Sequence, residues 1–146
     1  MPANLSVLVA AQNATYQQVL RELAAGRKES HWIWFIFPQV AGLGSSLMSQ
    51  KFGIISKADA RRYLDHSVLG PRLRECTRLM LAVPDGNIRS IMGYPDDLQF
   101  HSSMTLFAVA APDESIFEEA LQKFFNGEHD PLTLKLLAQT DEDSKE

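Results

Sequence analysis

The sequence predicts an all-α fold, a compact bundle of about six to eight orthogonally packed helices with no substantial sheet. Three observations carry this. Apolar residues recur at three- and four-residue spacing through most of the chain, and each such stretch is bracketed by residues that start or stop helices. Nowhere do two alternating runs of strand length meet at a hairpin turn. An apolar content of 45% with 22% charged residues is that of a globular protein and excludes a disordered chain.

Taken in order, Asn13 is placed to cap a helix in which Tyr16, Val19, Leu20 and Leu23 share one face, ended by Gly26. The apolar run Trp32–Phe37 reads equally as a buried strand or a buried helical segment, and Pro38 cuts it short. A short buried helix is favoured, because no second strand is available to pair with it. Next comes a Gly-rich stretch, Ala41-Gly42-Leu43-Gly44-Ser45-Ser46, ahead of a helical turn with Lys51. Backbone N–H groups in such a loop can cradle a phosphate. Gly-x-Gly without a third glycine or a Gly-Lys-Ser/Thr ending matches neither nucleotide fingerprint, however, and a turn in which Ser45 or Ser46 caps the next helix is the simpler reading.

Ser56 with Asp59 three residues on marks a helix to about His66. Gly70-Pro71 opens a strong helix with Leu73, Cys76, Met80 and Val83 in one stripe, stopped by Pro84-Asp85-Gly86. A helical turn over Asn87–Met92 ends at Gly93, and Pro95-Asp96-Asp97 starts a helix running to about Ala110. Asp113-Glu114 starts another, with Ile116, Phe117, Ala120, Leu121 and Phe124 apolar, ended by Asn126-Gly127. Asp130-Pro131 starts the last, with Leu132, Leu134, Leu136 and Leu137. Residues 1–140 are thus expected to form one helical domain, and 141–146 a disordered acidic tail.

The net charge of −4 is unevenly spread: +5 through Met92 and −9 from Gly93 onward. Most of the late acids sit at helix starts or in the tail, so no partner is needed to explain them. Arg61, Arg62, Arg72, Arg74 and Arg78 form the densest basic region, suited to phosphate or carboxylate recognition or to pairing with acids on neighbouring helices. No aromatic residues interleave with them and the chain is acidic, so nucleic acid is not an expected partner. The longest apolar run is six residues, far short of the roughly twenty a membrane span needs. With no basic segment before a leader-like stretch and one cysteine, Cys76, a cytoplasmic protein without membrane contact is expected.

The four histidines, His31, His66, His101 and His129, include no pair three or four apart, so no metal is expected, and no cofactor fingerprint is present. His101 has Asp97 four residues before it and Ser102, Ser103 and Thr105 after it. A carboxylate so spaced can orient an imidazole, but no Gly-x-Ser-x-Gly elbow accompanies it, and such hydroxyls ordinarily bond the carbonyl one turn back. Trp32 and Trp34, flanked by His31 and Gln39, offer aromatic walls and an amide of the kind a ring ligand wants. At least one of the two tryptophans is expected in the core.

Five segments then agree with one family: His31–Gln39; Gly42-Leu43-Gly44-x-Ser46; Phe52-Gly53-Ile54; Tyr63-Leu64-x-His66-x-Val68-Leu69-Gly70-x-Arg72-Leu73; and Asp97-Leu98-x-Phe100-x-Ser102-Ser103-Met104-Thr105-Leu106-Phe107. In this order, over about Ala11 to Gly127, the chain resembles the DUF1810 proteins. The resemblance implies a compact, mostly α-helical domain and brings no assigned activity. Ser67 stands where that family usually has proline, and Gln99 where lysine is common.

Polar residues in these segments that a core does not require define the candidate site. The ligand-binding candidates are His31, Trp32, Trp34, Gln39, His66, Arg72, Asp97, Ser102 and Ser103. Converging on one cleft, they would bind a small, partly anionic ligand, nucleotide-like or carboxylated, with Arg72 on its anionic group. Were the cleft catalytic, His31 or His66 would be the acid/base and Asp97 would orient an imidazole. The competing reading is a noncatalytic helical module that binds another protein or itself, marked by an exposed apolar patch on the last two helices.

Overall fold

The computed structural model describes residues 2–144, with side chains through residue 140. Nine helices lie among them: α1 (Leu5–Ala24), α2 (Ile33–Ile36), α3 (Leu47–Phe52), α4 (Lys57–Asp65), α5 (Leu69–Ala82), α6 (Ile88–Met92), α7 (Asp96–Ala110), α8 (Ser115–Phe125) and α9 (Pro131–Ser144). The only β pairing among the described residues is a single parallel bridge between Val40 and Ile54. The all-α class is therefore observed. The count exceeds six to eight because α2, α3 and α6 are one or two turns long.

Capping chemistry sets most of the boundaries. Ser56 Oγ accepts from Asp59 N at the head of α4, Asn87 Oδ1 from Ser90 N at α6, and Ser46 Oγ from Ser49 N at α3. Asn126 in the left-handed region (φ 55°) and Gly127 (φ 78°) end α8. One boundary differs from expectation. Helix α1 begins at Leu5, because Asn4 Oδ1 takes the cap bond from Val7 N, and Asn13 lies inside the helix. Helix α9 runs over Pro131–Ser144; Lys145 and Glu146, the end of the expected acidic tail, fall outside the described residues.

Helix α7 is the centre of the molecule. It buries residues around its circumference, including Phe100, Met104, Leu106, Phe107 and Ala108, and packs against α2, α4, α6, α8 and α9. Phe37 meets Phe100 edge-on at 4.9 Å, Tyr63 meets Phe107 at 5.4 Å, and Phe107 meets Phe117 at 5.7 Å. Helices α4 and α5 approach so closely that a Cβ on Gly70 would lie 2.0 Å from the Leu64 carbonyl oxygen. No helix among the described residues is long and apolar enough to cross a membrane.

Three buried polar groups hold the loops on this frame. Gln12 donates to the Phe35 carbonyl (2.7 Å) and to Tyr63 Oη (3.0 Å). Asp59 accepts from Ala3 N, Ile55 N and Arg62, tying down the N-terminus. Glu22 accepts from Glu29 N, Ser30 N and the Trp32 indole through Oε1, and from Ser30 Oγ and Gln18 through Oε2. Burial alone would raise the Glu22 pKa. The hydrogen bonds from Ser30, Glu29 and Gln18 overcome that and pull it down to about 2. The Cys76 thiol has only a long contact to Tyr16 Oη (3.9 Å), and burial outweighs it and pushes the pKa up to about 12, which leaves it an unreactive core group.

Candidate functional site

A cleft of about 590 Å³ opens where the 27–32 loop, α2, the Gly-rich loop with α3, the start of α7 and the start of α9 meet. Its size is typical of a small-molecule site. A second hollow of about 480 Å³, between the ends of α1 and α5, is walled mainly by Leu23, Leu79, Val83 and small residues and lacks convergent polar side chains. The polar cleft is therefore the candidate.

Each wall follows from local structure. Trp32 and Trp34 divide as helix geometry requires. Trp32 is fully buried, with its indole N–H on Glu22, whereas Trp34 is half-buried and lines the cleft. Gln39 follows Pro38 out of the core and presents its side chain beside Trp34; its own carbonyl accepts from Ile54 N. Gly44 lets the loop lie against α3, since a Cβ there would sit 2.5 Å from Ser49 Oγ. Gln99, on α7, donates to the carbonyls of Phe37 (3.2 Å) and Ile33 (3.4 Å) and so pins α2 to the central helix.

The floor and far wall come from α7 and α9. Ser102 Oγ lies 3.1 Å from the Leu98 carbonyl and 3.2 Å from Asp130 Oδ2, which also accepts from the backbone N–H and hydroxyl of Thr133. Asp130 thereby caps α9 and ties it to α7. The His101 ring stacks on Phe125 (4.0 Å between centroids), with Nε2 2.7 Å from the Glu128 carbonyl oxygen. A carbonyl can only accept, so Nε2 carries the proton and Nδ1 of the neutral ring is left as an acceptor. Asp96 forms an ion pair with Lys28 at 2.6 Å; the Lys28 side chain is only 5% exposed.

Residues 2–137 match a family model described as a protein of unknown function, DUF1810. The chain belongs to the DUF1810 family. No curated protein is significantly similar to it. Among solved structures, the conserved hypothetical protein Rv1873 from Mycobacterium tuberculosis is 48% identical, with a TM-score of 0.90 over 92% of this chain and 96% of that one.

In this DUF1810 protein the structure brings four of the expected residues together, His31, Trp34, Gln39 and Ser102. The other five lie elsewhere. Trp32 and Ser103 are sealed in the core, and Ser103 Oγ has no hydrogen-bond partner. His66 Nδ1 accepts from Val68 N and Leu69 N, which caps the start of α5. Arg72 lies 4.7 Å over the Tyr16 ring and 3.4 Å from Gln12 Oε1. Asp97 is buried, with Oδ2 3.4 Å from Arg89 and Oδ1 without a partner, so His101 is oriented by Glu128 rather than by Asp97. The family-like segment Tyr63–Leu73 thus serves the α4–α5 junction, while the other polar segments build the cleft. Ser67, where proline is usual, is exposed.

The polar cleft residues missed as site candidates are Ser46, Ser49, Asp96, Gln99, His101 and Asp130. The sequence held a signal for His101, its place beside Ser102 on one helix. Asp96 and Asp130 read only as helix starts, since their meeting depends on how α7 and α9 pack. Among the described residues no cluster of three His, Cys, Asp or Glu side chains is placed to hold a metal.

Proposed function

We propose that this protein binds a small, polar, ring-bearing compound in the cleft at the start of α7. One observation carries the reading: a half-buried tryptophan face, Trp34, stands in the same cleft as the amides of Gln39 and Gln99, the imidazoles of His31 and His101 and the hydroxyls of Ser46, Ser49 and Ser102. An aromatic platform ringed by groups that both donate and accept hydrogen bonds suits a flat ligand with a polar edge. Trp34 and the amides beside it support the ring-binding half of the expected nucleotide-like ligand. The anion-holding half rested on Arg72, which is engaged with Tyr16 and Gln12 away from the cleft.

The test is a titration of intrinsic fluorescence with nucleosides, nucleobases and sugars, in parallel with thermal shift. A binder at a hundred times its dissociation constant stabilises the fold by about 2.7 kcal/mol. Its fluorescence response disappears in Trp34→Phe and its affinity falls in Gln39→Ala. A binder unaffected by both substitutions would place the site elsewhere.

A helical interaction module is the second reading, favoured by the exposure of Leu132 (59%) and Leu134 (39%) on α9. The apolar residues of α8 are buried or half-buried and offer no such patch. This reading expects self-association in sedimentation, reversed by Leu132→Asp with Leu134→Asp; a monomer at every concentration counts against the homo-oligomer form.

A further inference from the structure

We infer that the cleft selects its ligand by charge: it takes neutral or cationic, amine-bearing heterocycles, of the nucleobase or nucleoside class, and turns away their phosphorylated forms. This rests on the cleft being the ligand site. The charged side chains that line it are both carboxylates, Asp96 and Asp130. Lysine 28, the cation against its wall, is sealed from solvent, held by Asp96 and the Ser30 carbonyl and lying 5.0 Å from the Trp32 ring. The arginines that could have reached an anion are committed to other partners. Arg72 stacks on Tyr16, Arg74 grips Glu114 with two hydrogen bonds, Arg61 pairs with Asp113, Arg62 with Asp59 and Arg89 with Asp97.

Asp130 has acceptor capacity to spare. Among the described residues the hydrogen bonds to Asp130 all go to Oδ2, and its Oδ1, which is not a buried orphan, is open to a donor. Asp96 adds its negative charge to the same wall, with Oδ2 2.6 Å from Lys28 Nζ. An exocyclic amine or ring N–H is the group that an open carboxylate oxygen recognises in a cleft with an aromatic wall.

Three helices, α3, α7 and α9, begin at this cleft, and helix starts attract anions. Here the chain has filled those ends itself. Ser46 takes the Ser49 N–H, Asp130 takes the Thr133 N–H, and Asp96 and Asp97 occupy the first turn of α7. A phosphate would therefore meet carboxylates at the starts of α7 and α9 and a capping hydroxyl at the start of α3.

Matched pairs test the inference: adenosine against AMP, cytidine against CMP and guanosine against GMP, by calorimetry at low ionic strength. The nucleoside is expected to bind at least tenfold more tightly than its monophosphate, with the gap narrowing as salt is added. Leu98→Arg places a cation at an exposed position in the cleft (Leu98 is 53% exposed) and should shift preference toward the monophosphate. A monophosphate that binds as tightly as its nucleoside overturns the charge rule and leaves the ring site standing. Binding of sugars alone, abolished by Trp34→Phe, overturns the heterocycle assignment. No binding by any probe overturns both this inference and the site it rests on.

Discussion

Replacing Glu22 by glutamine tests the stability argument most directly. The carboxylate collects five hydrogen bonds, from Gln18, Glu29 N, Ser30 N, Ser30 Oγ and Trp32. Its pKa is held at about 2 against 4.5 for an ordinary glutamate, a difference of about 3 kcal/mol between charged and protonated forms in the folded state. Because the folded value is the lower one, this contribution is fully present above about pH 4.5. It fades as pH falls through 4.5 toward 2. Glutamine keeps the shape and loses the charge, so E22Q should be less stable at pH 7 by about 3 kcal/mol, a melting shift of roughly 6–12 °C for a chain of this size. Urea titrations of both proteins at pH 7, 4 and 3 measure it. Wild type should lose its advantage on acidification while E22Q changes less. If E22Q at pH 7 lies within about 0.5 kcal/mol of wild type, or the two fall in parallel between pH 4.5 and 2, the carboxylate does not organise the 27–32 loop as argued.

Gly70→Ala forces a methyl against the Leu64 carbonyl and should cost at least about 2 kcal/mol in urea unfolding, far more than helix propensity alone, which would favour alanine. Arg72→Met should lower stability by about 1 kcal/mol through loss of its stacking on Tyr16 and leave the affinity of any cleft ligand unchanged in calorimetry; a large affinity loss would return Arg72 to the site. Cys76, buried and raised to about 12, should resist a thiol reagent such as DTNB in the native protein and react freely in denaturant, and fast labelling of native protein would contradict its burial. Acrylamide should quench Trp34 but not Trp32, so Trp34→Phe should abolish most of the quenchable emission.

The fold class and most helix boundaries were legible in the sequence because they depend on local chemistry. A Ser56 or Asn87 cap, an Asn126-Gly127 exit and an apolar stripe act within one or two turns of themselves. The same locality explains the errors. Asn4 and Asn13 offer the same capping side chain, and the longer apolar face from Leu5 decided between them. The acids at helix starts proved only partly local: Asp130 caps α9, whereas Asp113 and Glu114 reach across to Arg61 and Arg74, and those bonds lower the carboxyl pKa of each.

What the sequence determined by itself was a helical chain whose polar family-like segments include His31, Trp34, Gln39 and Ser102. Only the tertiary structure decided which polar residues share a cleft. His66 and Arg72 left that set because each found partners nearer to hand, backbone N–H groups in one case and Tyr16 with Gln12 in the other. Asp96 and Asp130 entered it because α7 is buried around its circumference, which brings α2, α3 and α9 to one end of it. Side-chain type can be read one residue at a time, but convergence is a property of packing between helices far apart in the chain.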